Sequence, residues 1–151
     1  MKRVTSFLSL LGFCLHFLAQ TTVPSNISTN TTWNSSGSPY IISSDVAVDS
    51  GVTLTIDPGV MVEFRNNKDL TIYGTLNAIG TPQDSIHFLG ILSFGTLVRS
   101  EINFTGEVQI AYAVIDNMGY GLTAKSDVAV SVTPNSAPVL NVRHTSFLNN
   151  G

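Results

Sequence analysis

Four side chains in this sequence have the type and spacing to contact an extended polar ligand: Glu63, Arg65, Tyr73 and His87. Glu63 and Arg65 stand two apart, so a β-strand through them points both the same way, about 7 Å from one another. A carboxylate and a guanidinium so placed can bond sugar hydroxyls, and the outward rings of Tyr73 and His87 on nearby rungs would add a stacking surface. The plainer reading is an exposed ion pair among solvated strand residues, and it is the stronger of the two because such pairs are common. His87 alternates with Ile86 and Phe88 and therefore faces away from the core. It has no second His or carboxylate at ligand spacing, so no metal is assigned to it.

The other acids stand singly, and no Asp-x-Asp-x-Asp-Gly loop is present to hold calcium. Asp57 and Asp69 read as turn formers. No Gly-x-Ser-x-Gly elbow, phosphate-binding glycine loop, zinc-spaced Cys/His set or dinucleotide fingerprint occurs. Thr53-Leu-Thr55 has the Thr-x-Thr form of a flat ice-binding ladder, but the next rung offers Thr71 followed by Tyr73, which breaks the flatness. The expected set is therefore no catalytic residue, no cofactor and no metal, with Glu63, Arg65, Tyr73 and His87 as ligand contacts.

The elements that must carry these residues are short strands. Val52, Leu54 and Ile56 alternate with Thr53 and Thr55; Val60, Val62 and Phe64 alternate with Met61 and Glu63; Leu70 and Ile72 flank Thr71. Each run has one inward face and is closed by turn chemistry, as in Asp49-Ser50-Gly51, Asp57-Pro58-Gly59 and Tyr73-Gly74. Beyond the first twenty residues no helical stripe occurs. Val46 to Val62, Leu54 to Leu70, Ile56 to Ile72 and Ile72 to Phe88 are each 16 apart, which implies a repeat whose members stack. Tyr112 to Gly119 aligns with His144 to Gly151 at a separation of 32, matching Asn117 with Asn149. Asn suits such recurring corners because it tolerates the left-handed conformation and can hydrogen-bond a stacked neighbour. His144 takes the place that Tyr112 fills a repeat earlier, a position for a ring rather than for a base.

These residues carry a resemblance. Thr32-Trp33, Ser38-Pro39-Tyr40-Ile41-Ile42, Asp45-Val46, Gly51 to Gly59, Val62-Glu-Phe64, Leu70 to Gly80 and Ile86-His-Phe88 resemble the opening module of secreted bacterial right-handed parallel β-helix proteins. The likeness is dense over residues 32–90 and looser over 107–151, where the Asn and Gly corners carry it. It implies a long, often multidomain surface or secreted protein, some of whose relatives hold polysaccharide-degrading sites. The expected fold is thus all-β, a right-handed parallel β-helix over residues 39–151. A single coil of such a solenoid cannot cover its own apolar face, so a charge at Leu54 or Ile72 is expected to unzip the neighbouring coils.

Lys2 and Arg3 precede an apolar run from Phe7 to Leu18 and the small Ala19, which reads as a helical signal peptide over residues 1–20, cut after Ala19 or Gln20. The run is too short to remain as a membrane span. Cys14, the one cysteine, lies inside it, so the mature chain holds no disulfide and no thiolate metal site; bulky Phe13 before it disfavours lipid attachment. An exported chain without disulfides leans toward a bacterial source. Against that stand the acceptor triplets at Asn26, Asn30, Asn34 and Asn103, which a eukaryotic secretory pathway would glycosylate. Residues 21–38, rich in Thr, Ser and Asn, read as a linker.

Charged residues make up 11% of the chain, mean hydropathy is +0.26 and net charge is -3. Loss of Lys2 and Arg3 with the leader leaves five basic against ten acidic residues, or -5. That balance excludes a disordered acidic tail and a nucleic-acid partner. Phe147-Leu-Asn-Asn-Gly151 is a corner in mid-repeat, so the helix is expected to be incomplete at its C-terminus and the chain to be part of a longer protein. The expected role is a non-catalytic structural or adhesive module, secreted or on the cell surface, with extracellular polysaccharide or surface components as partners. The alternative is the N-terminal part of a carbohydrate-active enzyme, a polysaccharide lyase or glycoside hydrolase, whose site lies beyond Gly151.

Overall fold

The computed structural model describes residues 20–91, 100–119, 121–124 and 139–150. Among them run sixteen short strands. The first six are β1 (Thr21–Thr22), β2 (Asn26–Ile27), β3 (Thr31–Trp33), β4 (Tyr40–Ile42), β5 (Val46–Val48) and β6 (Thr53–Ile56). Next come β7 (Met61–Arg65), β8 (Leu70–Ile72), β9 (Thr75–Ile79), β10 (Ile86–Ile91) and β11 (Glu101–Phe104). The last are β12 (Glu107–Ala111), β13 (Ala113–Asp116), β14 (Gly121–Ala124), β15 (Val139–Arg143) and β16 (Ser146–Leu148). One 3-10 turn, Ser35–Gly37, interrupts them.

Every third strand shares a sheet. The orders are β1-β4-β7-β10-β13-β16, β2-β5-β8-β11-β14 and β3-β6-β9-β12-β15, here called sheets A, B and C. All pairings among the described strands are parallel. The chain visits A, B and C in turn and comes back to A one strand further along, the arrangement of a parallel β-solenoid. The all-β expectation holds, with three parallel sheets. The leader, with Lys2, Arg3, Cys14 and Ala19, lies outside the described residues, as does the corner at Gly151. No helix among the described residues is long and apolar enough to cross a membrane.

The register corrects the 16-residue repeat. Val46, Leu54, Val62 and Leu70 stand eight apart on the successive strands β5, β6, β7 and β8. Sixteen residues therefore carry the chain two strands on, into a different sheet, whereas a coil takes three strands, 22 to 24 residues here. Val46 accordingly pairs with Leu70, and Leu54 with Leu76. Later coils are wider: Leu70 pairs with Ile102 and Val114 with Ser146, both 32 on. The 32-residue likeness of Tyr112 to His144 is a true coil. There the two rings stack with centroids 4.7 Å apart and planes 7° from parallel.

The linker expected over 21–38 is instead the first coil. β1, β2 and β3 pair in register with β4, β5 and β6, and Val23, Ile27 and Trp33 are buried. Few apolar residues suffice because the following coil supplies the rest of the surface they bury. Trp33 also stacks on Tyr40 at 4.9 Å, and the Tyr40 hydroxyl accepts the Asn34 N–H at 3.0 Å.

Inside the tube, apolar side chains form continuous ladders. Tyr40, Val62, Phe88 and Ile115 stack in sheet A; Val48, Ile72 and Phe104 in sheet B; Leu54, Leu76 and Val108 in sheet C. All are buried. Each aliphatic or aromatic step contributes about 1.5–3 kcal/mol by leaving water.

The corners repeat a second device, in which a side-chain oxygen of one coil accepts the N–H that enters a strand of the next. Asp45 accepts from Asp69 N at 3.2 Å, and Asp69 in turn from Glu101 N at 3.1 Å. Asn30 accepts from Thr53 N and Ser38 from Met61 N, each at 2.9 Å. Asp69 is thus the turn former the sequence suggests, and it links three coils. The Asn corners are also as expected: Asn117 and Asn149 have φ of 52° and 49°, and Asn117 Nδ2 donates to the Gly90 carbonyl at 2.8 Å.

Candidate functional site

β7 alternates strictly, with Val62 and Phe64 inside and Met61, Glu63 and Arg65 outside. That alternation places Glu63 and Arg65 side by side on the outer face of sheet A. Arg65 Nη2 and Nε both donate to Glu63 Oε2, at 2.7 and 3.3 Å. The Glu63 side chain is 15% exposed and Arg65 38%, so the carboxylate is the more sheltered partner. Its shelter comes from position: Glu63 sits in register between Ile41 of β4 and Leu89 of β10.

His87 lies on β10, the next rung of the same sheet, in register with Met61. It is exposed, and strand spacing and rise put its Cα about 8 Å from that of Glu63. Tyr73 is elsewhere. It follows β8 at the corner between sheets B and C, held by its N–H to the Val48 carbonyl at 2.9 Å, and is half exposed. The structure therefore joins Glu63 to Arg65, sets His87 on the adjoining rung and separates Tyr73 from all three. Tyr73 and His87 do not share a patch, because Tyr73 lies at the corner between sheets B and C and His87 on sheet A.

A cavity of about 470 Å³ opens beside Glu63, lined also by Gln20, Ser35, Ser38, Pro39 and Met61. Its size falls within the roughly 300–1,000 Å³ of small-molecule sites. Pro39 and Met61 give it an apolar side; Glu63 and the two serines give it hydrogen-bonding groups. Ser38 Oγ is partly engaged, accepting the Met61 N–H. Ser35 and Ser38 escape a reading of 21–38 as a linker, and Gln20 a reading of 1–20 as a leader, while Pro39 opens the expected β-helix. The signal for them is the spacing of Val23, Ile27, Trp33 and Tyr40, one apolar residue for each inward position of a coil. No three His, Cys, Asp or Glu gather around a metal-sized space among the described residues.

Over 51 residues, 34% of its length, the chain is 49% identical to protein bark beetle of Drosophila melanogaster. The match spans 2% of that much longer protein. No family model matches the chain, and no solved structure does.

Proposed function

We propose that this chain is a non-catalytic structural or adhesive module of a secreted or cell-surface protein, wound as a right-handed parallel β-helix. Right-handedness is the expectation for a chain that leaves a sheet and returns parallel to it, since nearly all such crossovers share that hand. One observation carries the functional reading: the polar side chains work from coil to coil. Asp45, Asp69, Asn30 and Ser38 are committed to holding the next strand, and the Glu63 carboxylate is committed to Arg65. Acid-base catalysis on a sugar needs carboxylates free to gain or lose a proton against the substrate. A relative that is matched over only 2% of its length is in keeping with a module repeated or embedded within a long protein.

Where such a module meets extracellular polysaccharide, the cavity beside Glu63 is the contact. Incubating the purified protein with a polysaccharide panel tests both halves of the proposal. Retention on a polysaccharide without cleavage, weakened by Glu63→Ala, supports it; release of oligosaccharides or unsaturated sugars sinks the non-catalytic reading.

A further inference from the structure

We propose that Asn26, Asn30 and Asn34 are N-glycosylated and that Asn103 is not, so that sugars form a collar round the first coil. This rests on the export that the function above assumes, taken through a eukaryotic secretory pathway. All four residues begin Asn-x-Ser/Thr triplets, Asn26-Ile-Ser28, Asn30-Thr-Thr32, Asn34-Ser-Ser36 and Asn103-Phe-Thr105. The fold sorts them. Asn26, Asn30 and Asn34 are exposed, whereas Asn103 is wholly buried and has no room for a sugar.

The three exposed amides are also held in a way that survives modification. Transfer joins Nδ2 to the anomeric carbon of an oligosaccharide carried on a lipid pyrophosphate. The N–C bond forms, the anomeric C–O bond breaks, one amide proton is lost and the lipid pyrophosphate departs. Oδ1 is untouched and one N–H remains. Asn30 uses Oδ1, accepting the Thr53 N–H at 2.9 Å, and so keeps its structural bond. Asn26 donates one N–H to Asp49 Oδ2 at 3.3 Å, which a secondary amide can still do. Asn34 Oδ1 accepts both the N–H and the hydroxyl of Ser36, at 3.1 and 2.6 Å, a turn that brings the triplet's hydroxyl against its own amide. The three sites surround one coil: Asn26 on β2, Asn30 before β3, Asn34 after it. Among the described residues β1, β2 and β3 are the outermost strands at this end of the three sheets, so the sugars cover an edge open to pairing.

Expression of the full chain in insect cells, followed by peptide N-glycosidase in ¹⁸O water and peptide mass spectrometry, reads each site. Labelled Asp at 26, 30 and 34 with unmodified Asn103 is the expected result. Ser28→Ala, Thr32→Ala and Ser36→Ala should each remove the label from one site only while leaving its Asn in place. A secreted chain bare at all three positions, or one glycosylated at Asn103, overturns the inference and leaves export standing. A chain retained in the cytosol overturns the export reading. Translation with microsomes behind an unrelated cleavable leader then decides the sugars alone, and a lumenal chain without them overturns the proposal.

Discussion

At the residue scale the most unusual side chain is Asn103. It occupies an outward position of β11, between Thr71 and Thr123 in register, yet it is fully buried, and neither amide atom meets a hydrogen-bond partner in the structure. An unsatisfied buried amide costs about 1–3 kcal/mol, so Asn103→Leu should stabilise the chain. The expected outcome is a higher melting temperature by circular dichroism; a lower one would show the amide bonded through ordered water. Arg65 makes the opposite case. Its bond to Glu63 is short, but the guanidinium is well exposed, and Arg65→Ala should cost no more than about 1 kcal/mol in urea unfolding. A larger loss would show that the pair anchors β7 rather than decorating it.

At the scale of elements, the corners constrain the sequence more tightly than the strands do. Gly74 ends the turn from sheet B to sheet C in one coil and Gly106 does so in the next. A Cβ on Gly106 would run into the Gly74 carbonyl, and one on Gly74 into those of Val52 and Asp49. These are backbone atoms of the adjacent coil, which cannot move without shifting its strands. Gly106→Ala is therefore expected to lose about 2 kcal/mol or more, measured by chemical denaturation. Strand interiors respond to charge instead. Ile72 is fully buried between Val48 and Phe104 in one ladder, and Ile72→Lys should abolish cooperative unfolding rather than lower its midpoint. A variant that still melts in one sharp transition would show that the ladder tolerates a break. Much of this scale is legible in the residues: alternation marks the inward faces, and the Asp, Asn and Gly punctuation marks the turns. What misleads is the count. Equal steps of eight make Val46 resemble Val62 as closely as it resembles Leu70, and pattern alone cannot say how many steps close a coil.

For the molecule as a whole, the strand pairings among the described residues join each coil to the next, so stability should be graded along the axis. The strands β7, β8 and β9 have paired neighbours on both sides, while β1, β2 and β3 at one end and β14, β15 and β16 at the other are outermost among the described strands. Phe147 of β16 continues the ladder of Phe88 and Ile115 but is half exposed, with no described rung beyond it. Hydrogen exchange should find the slowest amides in β7 to β9 and the fastest at both ends. Uniform protection would contradict a nearest-neighbour assembly.

The sequence by itself determined the class of structure, because alternation of period two, frequent turns and the want of any helical stripe leave an apolar face on every strand that only sheet stacking can bury. It also marked the Asn corners, whose left-handed backbone few other residues accept. Tertiary structure alone decided which residues meet. Pairing in a solenoid depends on the length of the whole coil, a sum over three strands and three corners, and an error of one step moves a residue to another sheet. For that reason Glu63 and Arg65, two apart on one strand, could be joined from the sequence, whereas Tyr73 could not be parted from His87, nor Asn103 from the three exposed asparagines, until the coil was closed.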